Sequence, residues 1–436
     1  MSEATIFALS SGVGRSGVAV IRISGPAALD VVNRLCRSRP KPRTATISDI
    51  YDVSSGLVID RGLILCFPAP KSFTGEDVAE FHVHGGRAIL SAVLKTLSNI
   101  SGLRAADPGE FTRRAFQNGK LDLASADGLA DLISADTEYQ RRQAFTLFSG
   151  RLGEAARSWR RCLIEAQALI EAYLDFPDEG EIPSDISADL DRSVLQVQQS
   201  LTEALKGYSD AEIIRDGVVV LIAGPPNSGK SSLLNRIASR DVAIISEIPG
   251  TTRDLIELTI DINGLPFTFV DSAGIRETTD PIERQGIART LKKVSHAQVV
   301  LWLSPFDEPR APSEIQHANL WIVGTKSDLG RSTQAAYNVS AKTGSGVREL
   351  LDALFANFAR SLQGIESNLS INQRQFNAIS AALEPLTNAR DQLSCQRFEI
   401  VAEELRRAAA GLDELVGNIV NDDILSEVFS RFCLGK

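Results

Sequence analysis

Three hydrophobic rhythms run along the chain. Between residues 1 and 119, short β-branched runs such as Val18–Ile23 alternate with helical stretches such as Ile89–Leu97. Gly25-Pro26, Pro68-Ala69-Pro70 and Pro108-Gly109 punctuate them. That mixture predicts a small α+β domain. From about 120 to 211 the period lengthens. Trp159, Leu163, Ala166, Ile170 and Tyr173 are spaced 4, 3, 4 and 3. Leu190, Val194, Val197, Leu201, Leu205 and Tyr208 are spaced 4, 3, 4, 4 and 3. Each set puts apolar side chains on one helical face. The Pro and Gly residues between Asp175 and Pro183 predict a loop.

The pattern then changes. Val218–Ala223 is a continuous apolar run, as expected of a strand buried on both faces. Val299–Leu303 and Leu320–Val323 are similar, and Asn263-Gly264 is a hairpin signal between two β-like segments. Such runs alternating with helices predict a mostly parallel sheet with one antiparallel pair. From about 369 the chain is helical again: Val401, Leu405, Ala408, Leu412, Leu415 and Ile419 are spaced 4, 3, 4, 3 and 4. The expected fold class is multidomain, α/β plus α+β. An α+β domain spans 1–119, a helical domain is written in two pieces (120–211 and 369–436), and an α/β domain (212–368) is inserted between them. The two helical pieces can bury their apolar faces against each other. No internal repeat or low-complexity tract is visible.

Composition adds limits. The 436 residues suit about three domains at ~150 residues each. Hydrophobic residues at 43% and charged residues at 23% exclude wholesale disorder. No apolar run approaches the ~18 residues of a membrane span. Met1–Ser10 carries no basic region ahead of its apolar residues, so no secretory signal is expected. The cysteines (36, 66, 162, 395 and 433) are scattered and odd in number, which fits a reducing cytoplasm and argues against a disulfide framework or zinc knuckle. The net charge of -9 argues against non-specific nucleic-acid binding. That charge is local, however. Residues 171–191 hold eight acids and no Lys or Arg, leaving -1 for everything else, while residues 1–50 carry +4. A nucleic-acid surface away from the acidic segment is therefore not disfavoured.

Candidate chemistry begins with Gly224-Pro225-Pro226-Asn227-Ser228-Gly229-Lys230-Ser231, which matches G-x-x-x-x-G-K-S. It follows the buried strand and leads into a helical stretch from Ser232 to Ala238, the context a phosphate loop requires. Backbone N–H groups of such a loop curl around phosphate oxygens at a helix N-terminus. Lys230 would reach the β- and γ-phosphates, and the Ser231 hydroxyl would ligate Mg²⁺.

Four more segments follow in order. Thr251-Thr252-Arg253-Asp254 offers a hydroxyl to the Mg²⁺ shell. Asp271-Ser272-Ala273-Gly274 gives D-x-x-G, a carboxylate near the metal and a glycine N–H for the γ-phosphate. Thr325-Lys326-Ser327-Asp328 and Ser340-Ala341-Lys342 follow later strands. In this order the segments resemble the TRAFAC class of Ras-like P-loop GTPases. A buried Asp328 carboxylate accepting from guanine N1–H and N2–H₂ would make two charge-assisted bonds that adenine cannot match. Thr325 departs from the usual Asn of that motif and cannot span the base as an amide does. Weaker nucleotide binding with retained guanine preference is the expectation.

The residue after D-x-x-G is Ile275, where many small GTPases place a glutamine that orients water. Hydrolysis therefore needs other groups. The Asn227 amide oxygen beside the phosphates could hold a monovalent cation in the role of an arginine finger. Glu283, in Asp280-Pro281-Ile282-Glu283, could orient water. Read blandly, Asn227 is a turn residue and Glu283 a solvated acid at a helix N-terminus.

Three stretches outside these motifs carry a closer resemblance. They are Ser72-Phe73-Thr74-Gly75-Glu76-Asp77, Pro108-Gly109-Glu110-Phe111-Thr112-Arg113-Arg114-Ala115-Phe116 running on to Gly119-Lys120-Leu121-Asp122-Leu123, and Phe432-Cys433-Leu434-Gly435-Lys436. With Pro249-Gly250-Thr251-Thr252-Arg253-Asp254 they resemble the MnmE (TrmE) family of tRNA-modification GTPases over essentially the whole chain. The resemblance implies a tetrahydrofolate-binding-like N-terminal domain that dimerises, and two GTPase domains meeting across K⁺-dependent sites in a homodimer. It implies an FAD-dependent partner, MnmG, in a heterotetramer or larger complex in the cytoplasm. That complex installs a carboxymethylaminomethyl or aminomethyl group on C5 of the wobble uridine (position 34) of certain tRNAs. A 5,10-methylene-tetrahydrofolate supplies the carbon, and the 5-formyl form is a further candidate ligand.

Carried over by motif, Asn227, Ser246, Ile248 and Thr251 match K⁺ ligands, and Ser231 and Thr252 match Mg²⁺ ligands. Glu283 matches the water-orienting glutamate, with Asn227 and Lys230 beside it in catalysis. The GTP-binding set implied adds Ser228, Gly229, Ser232, Glu247, Pro249, Gly250, Asp271, Ser272, Ala273, Gly274, Thr325, Lys326, Asp328, Ser340, Ala341 and Lys342. Arg22, Glu80, Lys120 and Lys436 match folate contacts, with Cys433 nearby. Without the resemblance Arg22, Glu80 and Lys120 read as surface charges.

Two features compete for attention. Cys433 stands at a formal C-a-a-X position, but Gly435 and Lys436 do not suit prenylation. His82-Val83-His84 puts two imidazoles on one strand face, and a structural role is favoured over metal binding. A ribosome-assembly GTPase acting as a binding switch is the alternative function. Against it, no G-x-x-G loop stands in a KH-like context. A folate-dependent one-carbon transferase acting on a small molecule would leave the GTPase motifs unexplained.

Overall fold

Period-two stretches become strands and 3.6-period stretches become helices. The computed structural model describes residues 4–12, 14–37, 40–175, 186–239, 244–246, 257–271, 297–307, 317–359, 362, 369–417, 422–432 and 435. The chain opens with β1 (Thr5–Leu9), β2 (Ser16–Ser24), α1 (Ala28–Cys36), β3 (Thr46–Tyr51), β4 (Val58–Phe67), β5 (Val78–Gly85), α2 (Arg87–Ser98) and β6 (Leu103–Ala105). Helices follow: α3 (Glu110–Gln117), α4 (Leu123–Ser134), α5 (Glu138–Phe148), α6 (Arg151–Asp175), α7 (Ser187–Lys206) and α8 (Tyr208–Asp216). Then come β7 (Val218–Ala223), α9 (Lys230–Ala238), β8 (Ile244–Ser246), β9 (Glu257–Ile262), β10 (Leu265–Asp271), β11 (Val299–Pro305), β12 (Leu320–Thr325), β13 (Tyr337–Asn338) and α10 (Val347–Phe358). The last described helices are α11 (Gln373–Ser394), α12 (Phe398–Val416) and α13 (Asp422–Ser430). Among the described residues no helix is long and apolar enough to cross a membrane.

Two compact units form. The first takes residues 1–130, 150–195 and 384–436. Its sheet has the order β3-β4-β5-β2-β1-β6, antiparallel except where β6 lies parallel to β1. Alternation sorts the two faces of β2 and β5. Ile21, Ile23, Phe81 and Val83 point into a core completed by Val31, Leu35, Val93 and Leu97 of α1 and α2. Arg22, Glu80 and His82 occupy the other face, where Ile6 and Ala8 of β1 join Phe73 and Phe111 in a smaller cluster. In the same unit α6 packs along α12. Trp159, Leu163, Ala166 and Ile170 on one, and Val401, Leu405, Ala408 and Leu412 on the other, are all buried. The spacings read from the sequence thus mark real core faces. Phe116 and Phe429 bring α3 and α13 together, with ring centroids 6.1 Å apart.

This unit also joins residues far apart in sequence. The Ser10 hydroxyl donates to the Gly435 carbonyl over 2.8 Å. Gly435 sits at φ 91, and a Cβ there would strike the Leu9 carbonyl, so both the backbone and the space demand glycine.

The second unit takes residues 131–149 and 196–383. Its sheet order is β13-β12-β11-β7-β10-β9-β8. The strands from β13 to β10 are parallel, while β9 runs antiparallel to both β10 and β8. The sheet therefore holds two antiparallel pairings, one more than expected, because three-residue β8 is too short to announce itself by periodicity. Val220, Ile222, Phe267, Phe269, Leu301 and Leu303 fill the core against Leu233, Ile237, Leu350 and Leu354. Thr137 and Gln140 form a capping box at the start of α5.

Candidate functional site

The phosphate loop springs from the C-terminal end of central strand β7. Gly224 sits at φ 151, and a Cβ there would lie 2.7 Å from the Leu303 carbonyl oxygen, so the strand can turn this close to β11 only as glycine. Asn227 is held in the left-handed region at φ 62, with its side chain exposed. Gly229 at φ 94 precedes α9 as its N-cap. Lys230 folds over the loop and donates from Nζ to the carbonyls of Gly224 (2.9 Å) and Pro225 (3.0 Å). Exposed Ser232 follows in the first turn of α9.

One strand away, β10 ends at Asp271, which is 3% exposed. The Ser231 hydroxyl donates to its Oδ2 over 3.0 Å. The parallel register of β10 and β7 pairs Asp271 with Ile222, just before the loop, and so brings this carboxylate to the start of α9. A hydroxyl and a buried carboxylate converging in this way form an oxygen donor set that suits a hard divalent cation such as Mg²⁺.

The segments expected to read the base also sit at strand ends. Buried Thr325 closes β12, and its Oγ1 donates to the Ser228 carbonyl over 2.7 Å. Lys326 stands at φ 58 and pairs with Asp307, its Nζ 2.9 Å from Oδ1 and 2.7 Å from Oδ2. Asp328 accepts from the Ser340 hydroxyl over 2.7 Å. That bond, with a backbone N–H and the nearby Lys342 charge, holds the Asp328 carboxyl below the usual aspartate range. Asp328 is exposed, contrary to the buried carboxylate expected, because it lies on the turn after β12 and not within the strand. Ser340 is fully buried, and a turn bonded from the Gly344 N–H to the Ser340 carbonyl (2.8 Å) carries Ala341 and Lys342.

Several expected residues lie outside the described residues. They are Glu247, Ile248, Pro249, Gly250, Thr251, Thr252, Ser272, Ala273, Gly274, Ile275, Glu283, Cys433 and Lys436. Ser246 closes β8, and only its backbone is described.

A second charged cluster lies on the β2–β5 face of the first unit. The register sets Arg22 opposite Glu80. Arg22 Nε donates to Glu80 Oε1 over 3.0 Å, and its guanidinium carbon stands 5.4 Å from the Phe73 ring centroid and 5.9 Å from that of Phe111. These two residues are mostly shielded and paired, so the surface-charge reading fails for them. Lys120 does fit that reading: it is exposed and lies beside Gly75. His84 binds Asp60, its Nδ1 2.9 Å from Oδ1, and His82 approaches Glu80. Among the described residues no group of His, Cys, Asp and Glu converges as a metal site.

Sequence reasoning missed what joins the stretches 72–77 and 108–116. Arg114 is 2% exposed and reaches both Glu76 carboxylate oxygens at 3.1 Å, Glu110 Oε1 at 3.1 Å and the Ala4 carbonyl at 2.8 Å. Ser24 donates to Glu76 Oε2 over 2.7 Å, and Asn118 donates to the Thr74 carbonyl over 2.7 Å. The only signal available was a run of charged residues inside an apolar segment.

A strand, phosphate loop and helix, with a carboxylate at the neighbouring strand end and an Asp–Ser pair at the base corner, define a P-loop GTPase. The comparisons narrow the class. The model "GTP-binding protein TrmE N-terminus" matches residues 5–120, and "MnmE helical domain" matches residues 123–433. The chain is 45% identical over 444 residues to the tRNA modification GTPase MnmE of Bradyrhizobium sp. (strain ORS 278), covering 100% of this chain and 99% of that protein. It is 44% identical over 442 residues to the tRNA modification GTPase MnmE of Rhodopseudomonas palustris (strain ATCC BAA-98 / CGA009), again covering 100% and 99%. The chain belongs to the MnmE family of tRNA modification GTPases. The solved G domain of the T. maritima FeoB iron transporter aligns at 21% identity over 33% of this chain and 98% of its own, with a TM-score of 0.26.

Proposed function

We propose that this GTPase works in wobble-uridine modification. Together with an FAD-dependent partner, MnmG, it adds a carboxymethylaminomethyl or aminomethyl group to C5 of uridine 34 in certain tRNAs. A methylene-tetrahydrofolate supplies the bridging carbon when bound. The observation that carries this reading is the coexistence in one chain of a guanine-type P-loop site and the Arg22–Glu80 pair walled by Phe73 and Phe111. A nucleotide switch alone has no use for the second cluster.

The described residues divide the work as follows. Backbone N–H groups of Asn227–Lys230 cradle the phosphates at the start of α9. Lys230 exchanges its two loop carbonyls for phosphate oxygens. Ser231 and Asp271 would help to hold Mg²⁺, whose charge would offset the phosphates. Asp328, kept ionised by Ser340, accepts the guanine N–H edge. Asn227 presents its amide where K⁺ would neutralise developing charge, with Ser246, Ile248 and Thr251 as companions. Glu283 orients the attacking water, and Thr252 completes the Mg²⁺ shell. Glu80 accepts N–H donors from a pterin edge, while Arg22, Lys120 and Lys436 suit an anionic folate tail. Cys433 is added to that set by the family resemblance alone.

The assembly proposed is a cytoplasmic homodimer formed through residues 1–119. The helical domain of 120–211 and 369–436 carries the GTPase domain of 212–368. Mass spectrometry of tRNA nucleosides from a deletion strain tests the whole reading. Loss of the modified wobble uridine, restored by the wild-type chain, is expected. Unchanged nucleosides would refute it.

A further inference from the structure

We infer that His82 is a positioning residue that fixes the plane of the Glu80 carboxylate for a heterocyclic ligand. The inference rests on the folate reading and deepens it. It starts from the division of the two carboxylate oxygens. Arg22 approaches Oε1 alone, with Nε at 3.0 Å and Nη2 at 2.9 Å. His82 Nε2 approaches Oε2 at 3.3 Å. A carboxylate only accepts, so this contact requires the proton on His82 Nε2.

The division matters because the terminal torsion of a glutamate is broad and roughly two-fold. One attachment at Oε1 leaves the carboxylate free to swing about that point. A second attachment at Oε2, from the same strand two residues on, removes the swing. Strand alternation supplies it: Glu80 and His82 share a face of β5, while Phe81 between them points into the core. Packing of Arg22 against Phe73 and Phe111 fixes the other anchor. Side-chain exposures of 16% for Glu80, 19% for Arg22 and 25% for His82 leave the group shielded yet reachable. A ligand that presents two parallel N–H donors in one plane, such as a 2-amino-pyrimidinone edge, needs an acceptor whose plane is already set. Pre-setting it spares the ligand an ordering cost on binding.

The test measures calorimetric affinity of the full-length protein for 5-formyltetrahydrofolate in the wild type and in His82→Leu, His82→Gln and Glu80→Gln. Thermal melting confirms that each variant folds. His82→Leu should bind about tenfold more weakly, whereas His82→Gln, which retains an N–H donor at a similar reach, should stay within about threefold of wild type. His82→Ala serves if the leucine variant does not fold. Wild-type affinity in His82→Leu would overturn the positioning role. Equal weakening by Leu and Gln would overturn it too, because the imidazole shape and not the hydrogen bond would then matter. Two outcomes separate the levels: no binding by the wild type fells the folate reading and the inference with it, whereas wild-type affinity in Glu80→Gln shows that folate binds away from this carboxylate and overturns the inference alone.

Discussion

The Thr325 hydroxyl donates to the Ser228 carbonyl, so a side chain at the end of β12 holds the backbone of the phosphate loop. Both residues are buried, Thr325 at 5% exposure and Ser228 at 0%. Thr325→Val keeps the shape and removes the donor, leaving that carbonyl without its bond. GTP and GDP affinity should each fall about tenfold, and Thr325→Ser should recover most of it. Fluorescent-nucleotide titration measures this, and unchanged affinity in the valine variant would show that the tie does not order the loop.

The proposed base-reading acceptor, Asp328, is held below the usual aspartate range by the Ser340 hydroxyl. In Asp328→Asn the amide offers a donor where guanine also presents one and xanthine presents a carbonyl. GTP affinity should drop on the order of 10²–10⁴-fold while XTP affinity rises. Competition between the two nucleotides reads the shift, and an unaltered preference would mean that the base lies elsewhere.

Asn227 stands exposed at φ 62 in the loop. If its amide helps to hold K⁺ in the role of an arginine finger, turnover in K⁺ should exceed turnover in Na⁺ by at least ~10-fold, a small part of the ~10³–10⁵ that an arginine finger supplies. Asn227→Ala should bring the ratio to about one. Equal rates in both salts with the wild-type protein would sink the cation model.

Glu110 links stability to acidity. Burial alone would raise its carboxyl, but hydrogen bonds from Arg104, the Asp107 N–H and Arg114 outweigh burial and hold it below its ordinary value of 4.5. A depressed carboxyl stabilises the fold above that value, and the contribution is lost as pH falls through the lowered one. The melting temperature should therefore fall more steeply below pH 4.5 in the wild type than in Glu110→Gln. Parallel melting curves across that range would show that the Arg104–Glu110–Arg114 cluster does not couple to pH.

Much of the fold was legible because burial leaves a period. Val218–Ala223 became β7, Asn263-Gly264 became the β9–β10 turn, and the spacing of Val401, Leu405 and Leu412 marked the buried face of α12. The phosphate loop was equally plain, since its glycines answer to local geometry. What stayed hidden depends on register and depth. Arg22 and Glu80 lie 58 residues apart, and only pairing of β2 with β5 makes them neighbours. Arg114 looks like a surface charge on a short helix, yet Glu76 and the Ala4 carbonyl, from two other stretches, join Glu110 of its own helix around it. The depth of Asp328 was hidden too, since motif spacing does not say on which side of a strand end a turn begins.

The bond from Ser10 to Gly435 has a consequence for vectorial synthesis. Residues 384–436 belong to the same unit as residues 1–130, but a ribosome releases residues 196–383 in between. At ~5–20 residues per second, the first strands wait on the order of tens of seconds for their last partners. The nucleotide-binding unit has all its segments before the unit that carries Arg22 and Glu80 does. The order of emergence thus favours a nascent chain that meets GTP before its oldest strands have finished maturing.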